Sequence, residues 1–199
     1  LAKAGSRVTL LHLMDRLMER QLDAVAAAVL KQRVEEKGVE VLLNASTAKI
    51  IGENFVEAVE LADGRIIAAD AVIFAAGIRP NVSLAKDAGI AINRGIVVDD
   101  QLATNTNGIY ALGECAEHRG TCYGLVEPAY EQARVLADQL AGKESFYGGS
   151  VVSTNLKVSG VSVFSAGDFE GTEGSETMMF RDVRRGTYKK LIISGDRLT

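Results

Sequence analysis

An apolar strand that ends in a glycine and a carboxylate is the feature of this chain with the clearest chemical use. In Thr104-Asn105-Thr106-Asn107-Gly108-Ile109-Tyr110-Ala111-Leu112-Gly113-Glu114, residues Ile109 to Leu112 read as a strand, and Gly113 and Glu114 follow directly. Open α/β sheets bind ligands at the carboxyl edge of their strands. A glycine there lets backbone and ligand approach closely, and the acid can accept paired hydrogen bonds from a polyol. The same residues also fit a strand-end turn with a solvated glutamate, and alone they do not choose. Cys115 and Cys122 match neither a metal pair nor a Cys-x-x-Cys redox motif, so both read as packing residues. Glu117 and His118 read as residues of a polar loop, and neither is assigned as a base.

Composition bounds what these residues can serve. The 199 residues carry 22 basic and 26 acidic side chains, a formal net charge of −4. That balance leaves no electrostatic footprint for nucleic acid and no basic amphipathic helix for a membrane surface. No apolar run reaches the ~18 residues of a membrane span. Two cysteines make no disulfide framework. Leu1 to Gly5 lacks a signal-peptide layout, so the cytoplasm is the expected location. Twenty glycines with only 2 prolines point to tight turns and close backbone approaches rather than to disordered linker.

The elements that must position the site begin with half of a βαβ unit. Leu1 to Ala4 reads as a last helical turn closed by Gly5, and Arg7 to Leu11 as a buried strand. Glu19 to Lys37 carries one apolar stripe, Leu22, Val25, Ala26, Val29, Leu30 and Val34, at helical spacing. Val39 to Leu43 is the next strand. A β-meander follows over Ala48–Ile51, Phe55–Leu61 and Arg65–Ala68, with Asp63-Gly64 as its hairpin signal. Ala71 to Ala75 is fully apolar and is expected as a central strand. Gly95 to Asp99 is another strand. Pro128 is expected to open a helix at the first position, with Ala129, Ala133, Leu136, Ala137 and Leu140 facing the core. Beyond Ser150 only strands and turns are predicted: Val151-Val152, Leu156–Val158, Val161–Phe164, Thr177–Arg181 and Tyr188–Ile193, with a further strand starting at Arg197. Both ends fall inside such units, so the chain is expected to be a piece of a longer polypeptide.

Two ordered motifs bring a family into view. Thr104 to Glu114 resembles the second flavin fingerprint of the FAD-dependent pyridine-nucleotide oxidoreductases, T-x-x-x-x-I-Y-A-x-G-D, with Glu in place of Asp at 114. Val72-Ile73-Phe74-Ala75-Ala76-Gly77-Ile78-Arg79-Pro80-Asn81 resembles that family's A-x-G-x-x-P-N motif. The resemblance covers residues 1 to about 165. It narrows toward the large subunits of NAD(P)H-dependent nitrite reductases at His12 to Met18, Gly113 to Gly120, Tyr123 to Pro128 and Ser153 to Gly160. Reductases of rubredoxin and ferredoxin systems share the scaffold.

The resemblance implies an α/β fold: partial Rossmann-like NAD- and FAD-binding domains with a parallel sheet and a β-meander insert, followed by the start of an α+β C-terminal domain. Residues 1–75 would be the second half of the NAD(P)-binding domain, 76–145 the returning segment of the FAD domain, and 146–199 the C-terminal start. Glu114 would bind the FAD ribityl chain, with Gly77, Gly113 and the Pro128 helix around the flavin. His12 stands where many relatives carry an acid for the adenosine ribose. Arg16 could meet a 2′-phosphate, although a solvated loop arginine is the simpler reading, so NAD against NADP stays open. FAD and NAD(P)H are the implied cofactors of the parent enzyme, with an iron–sulfur cluster and sirohaem outside this segment. No catalytic side chain and no metal ligand is assigned here. The implied activity is nitrite reduction in nitrate assimilation. The implied partners are the rest of the parent chain, a small electron-transfer protein or nitrite reductase small subunit, and a homodimer mate. Rival readings are a rubredoxin or ferredoxin reductase and a non-catalytic interaction or dimerisation module.

Overall fold

In a computed structural model, every residue except Ser159 is described; Ser159, within the Ser153–Gly160 motif, lies outside the described residues. The chain divides into two compact units, Leu1–Phe74 with Ser153–Thr199, and Ala75–Val152.

The first unit opens as the apolar pattern requires. A 3₁₀ turn, Ala2–Ala4, ends at Gly5 in the left-handed region. Strand β1 (Val8–Leu11) runs parallel to β2 (Val39–Leu42), with helix α1 (Ala24–Glu35) between them in sequence. The helix is shorter than its stripe predicts. Met18 takes a positive φ of 53°, and Asp23, extended, caps the helix by accepting from the Ala26 N–H at 2.8 Å. Leu22 is buried from the turn rather than from the helix, together with Leu17, Ala27, Leu30 and Val41. The meander is present as β3 (Thr47–Ile51), β4 (Ala58–Leu61) and β5 (Ile66–Ala68), all antiparallel. Leu61 and Val59 seat it on Ala45 and Leu42. Asp63 turns the hairpin by accepting from the Arg65 N–H at 3.1 Å, while Phe55 stays in an exposed turn.

Ala71 to Ala75 departs from expectation. It joins no ladder among the described residues, and Ile73 and Phe74 are each 73% exposed. An apolar strand becomes central only when strands lie on both sides, and among the described residues none does. The tail of the unit is antiparallel throughout: β8 (Ser153–Val158) with β9 (Val161–Ala166), and β10 (Glu176–Asp182) with β11 (Thr187–Ser194) and β12 (Arg197–Leu198). Val151-Val152 precedes β8 without joining it. The tail meets α1 through the helix cap. The Tyr188 hydroxyl donates to Asp23 Oδ2 at 2.6 Å, and Lys190 Nζ lies 3.2 Å from the same oxygen.

In the second unit, a short helix α2 (Ser83–Asp87) leads to β6 (Ile96–Val98), which runs parallel to β7 (Ala116–His118). The predicted strand Ile109–Leu112 reduces to one bridge, Ala103 to Tyr110. The Ile109 carbonyl is already taken by the Thr104 N–H and hydroxyl, so its ladder bond is used within the loop. Helix α3 (Val126–Leu140) starts two residues before Pro128. Pro128 is therefore the third helical residue, still in the first turn, where its missing N–H leaves no helical bond unmade. The buried stripe is also rotated: Pro128 and Gln132 are buried and Val135 and Leu136 pack on the core, while Ala137 and Leu140 are exposed. The core of this unit is Val98, Leu102, Ala111, Ala116 and Tyr147.

Candidate functional site

Gly77, Gly113, Glu114 and Pro128, the residues expected around a flavin, all lie in the second unit. Leu112 is extended and Gly113 turns at φ 77°, a left-handed conformation that favours glycine. A 3₁₀ turn, Gly113–Cys115, then carries the chain into β7, closed by the Ala116 N–H on the Gly113 carbonyl. The Gly113 N–H points the other way and donates to Gln132 Oε1 of α3 at 2.6 Å. A Cβ placed on Gly113 would stand 3.8 Å from that of Ala129, so the glycine is required by its backbone angle rather than by space. Glu114 projects from the turn as an exposed carboxylate, and no side-chain partner holds it among the described residues.

The start of α3 completes this corner. Its cap residue, Leu125, supplies no side-chain hydrogen bond, and Val126 is exposed. The first-turn N–H groups of Val126 and Glu127 are thus open, with the positive end of the helix dipole behind them. Gly77 turns at φ 79°, and its neighbour Ile78 lies so close to Gly124 that a Cβ there would meet Ile78 Cδ1 at 2.9 Å. The Gly77 segment therefore packs beside the residues that lead into α3. A free carboxylate, a left-handed glycine and an uncapped helix start fit a ligand with hydroxyls and an electron-rich or anionic edge.

Two residues assigned to a polar loop are core residues of β7. Glu117 is 4% exposed and accepts from the Gly95 N–H at 2.7 Å and from Asn93 Nδ2 at 2.8 Å. Those bonds hold its carboxyl below its ordinary value despite burial. His118 is 1% exposed, its Nε2 2.8 Å from Asp100 Oδ1 and its ring 4.8 Å from that of Tyr147. Arg119 grips the same Asp100 through two nitrogens, at 2.9 and 2.6 Å. With Arg119 first and His118 second, the carboxyl of Asp100 falls to about 2. A short alternation in Ala116–His118, apolar then acidic then imidazole, gives little sign of a strand. The tertiary pairing with β6 makes it one.

His12 lies in the first unit, one residue past β1, and its Nε2 stands 3.3 Å from Glu19 Oε2 without a hydrogen bond. Arg16 lies in the loop after β1 and is partly exposed. It sits 3.6 Å from Asp15 and 3.8 Å from Glu170. Cys115 and Cys122 are both free, and burial pushes the Cys122 thiol up. Gln132 escaped the sequence reading; its one signal is a polar residue within the stripe Pro128, Gln132, Val135, Leu136. Among the described residues no helix is long and apolar enough to cross a membrane.

Comparison with known proteins shows the family. The pyridine nucleotide-disulphide oxidoreductase family matches residues 1–135, and the rubredoxin NAD+ reductase C-terminal domain matches residues 153–199. A nitrite reductase [NAD(P)H] of Bacillus subtilis is 49% identical over the whole chain, which spans 25% of that protein. A rubredoxin-NAD(+) reductase of Acinetobacter baylyi is 39% identical over 72% of this chain and 37% of its own length. The crystal structure of a covalent putidaredoxin reductase–putidaredoxin complex superposes on 98% of this chain and 48% of its own, with a TM-score of 0.84 and 27% identity.

Proposed function

The chain belongs to the pyridine nucleotide-disulphide oxidoreductase family, and from that premise we propose that it is the flavin- and nicotinamide-binding part of an NAD(P)H-dependent nitrite reductase. The observation that carries the reading is the Gly113–Glu114 turn fastened to α3. Glu114 accepts hydrogen bonds from the ribityl hydroxyls of FAD. The open N–H groups at the start of α3 stabilise negative charge on the flavin edge, and Gly77 and Gly113 allow the backbone to approach it. His12 marks the adenosine end of the nicotinamide cofactor. Bound flavin supplies the hydride acceptance and single-electron release that side chains lack. Residues 1–75 serve the NAD(P) half, 76–145 the returning FAD segment and 146–199 a C-terminal domain, with the iron–sulfur cluster and sirohaem elsewhere in the polypeptide.

Nitrite as the final acceptor is favoured by the 49% identity to the Bacillus subtilis nitrite reductase across the full chain. A rubredoxin-type acceptor is the second reading, favoured by the domain match over residues 153–199. NADH oxidation by the full-length protein, with nitrite or with rubredoxin as acceptor, separates them. Nitrite-dependent turnover is expected, and turnover with rubredoxin alone would overturn the assignment.

A further inference from the structure

We infer that Gln132 is a positioning residue for flavin binding, acting through the Gly113 backbone rather than by touching the cofactor. Of the polar side chains on α3 it alone is buried, at 1% exposure. A carboxamide placed there forgoes the apolar packing that its stripe neighbours Val135 and Leu136 contribute. What it gains is hydrogen bonding: it accepts the Gly113 N–H at 2.6 Å, and its side chain also bonds that of Tyr147.

Among the described residues the Gly113 N–H has no other acceptor. Gly113 sits in a left-handed turn between an extended Leu112 and β7, outside any ladder and half-buried, and an amide withdrawn from water without an acceptor is costly. The bond crosses from one ligand-bearing element to the other. On one side is the turn that presents Glu114; on the other is α3, whose open first-turn N–H groups lie about one and a half helical turns before Gln132. Fixing Gly113 to α3 therefore sets the carboxylate and the helix start as a single rigid frame. A cofactor that must meet both benefits from having that geometry formed in advance.

The inference rests on the reading of Glu114 as an FAD ligand, and the test separates the two. In the full-length protein, Gln132→Met keeps the length and volume of the side chain but removes the acceptor, and Gln132→Glu keeps the acceptor. FAD affinity of the apoprotein is measured by flavin fluorescence quenching, and thermal midpoints by circular dichroism. Gln132→Met is expected to weaken FAD about tenfold, and Gln132→Glu to recover most of that loss. Leu136→Ala, which loosens the same helix from the same core, serves as a control for general destabilisation. It is expected to lower the midpoint at least as far while leaving FAD affinity within about twofold. Equal loss of affinity in Leu136→Ala, or wild-type affinity in Gln132→Met, would overturn the positioning role. A Glu114→Ala protein with wild-type FAD affinity would instead remove the underlying reading, and the inference with it.

Discussion

Glu114 and Glu117 are three residues apart and stand in opposite surroundings, one exposed and one buried. Glu114 is exposed and unheld, so its removal should cost binding and not stability. A hydrogen bond to a charged group contributes roughly 1.5–3 kcal/mol, so Glu114→Ala in the full-length protein is expected to weaken FAD roughly 10- to 100-fold. Glu114→Asp should lose less. Exposed Glu144 provides the control, and an affinity loss in Glu144→Ala equal to that in Glu114→Ala would misplace the ligand. Glu117→Ala, by contrast, leaves the Gly95 N–H and Asn93 amide without their buried acceptor. It is expected to destabilise the fold by about 3 kcal/mol, read as a lower urea midpoint. Asp100 adds a pH signature. Its carboxyl falls from 3.8 to about 2 in the folded chain, so its stabilisation is present above 3.8 and is lost as pH falls through about 2. Urea midpoints of the wild type should drop across that window, and those of Asp100→Asn should lack this component.

At the scale of elements, the cap of α1 joins helix and sheet. Asp23 closes the first turn of the helix and receives Tyr188 and Lys190 from β11. Burial alone would raise its carboxyl, but the Ala26 N–H, Tyr188 and Lys190 together bring it below its ordinary value. Burial first and the Asp23 carboxylate second push Tyr188 from 10.0 up to about 12. The two signs are opposite. The Asp23 contribution is present above its ordinary value of 3.8 and is lost on acidification. The Tyr188 contribution is complete below pH 10.0 and is lost as pH rises through about 12. Tyr188→Phe should therefore flatten the alkaline decline in urea midpoint between those values. Asp23→Ala should cost about 1 kcal/mol from the cap alone, and an unchanged midpoint would show that the cap is not held.

At the scale of the whole molecule, the proposed function would give the chain the ribityl and helix-dipole side of a flavin site, while its sequence contains no G-x-G-x-x-G pyrophosphate loop for either dinucleotide. Such a loop and its helix are what bind the pyrophosphate of a dinucleotide. The 199-residue chain is therefore expected to purify colourless, and a stoichiometric yellow flavin spectrum would refute this. Both thiols are free, so titration after unfolding without reductant should count two. Cys122, whose thiol is pushed up by burial, should react more slowly than Cys115 in the folded chain.

What could be read in the residues alone was whatever short-range rules control. The strand–helix–strand opening, the meander with its Asp63-Gly64 hairpin and the antiparallel tail follow from apolar spacing and turn chemistry, which act over a few residues. The Gly113–Glu114 pair and the Gly77 segment were visible for the same reason, as contiguous motifs. The errors fell where a partner distant in sequence decides the outcome. Ala71 to Ala75 has the composition of a central strand but no strand beside it. Ala116 to His118 has no strand signature, yet it becomes β7 because β6 lies alongside. Glu117 and His118 look like loop polars and are buried because Gly95, Asn93 and Asp100 satisfy them. Gln132 lies 19 residues from Gly113, and no local pattern announces that bond. Only the packing of α3 on the turn creates it, since a buried amide must find its acceptor wherever the fold brings one.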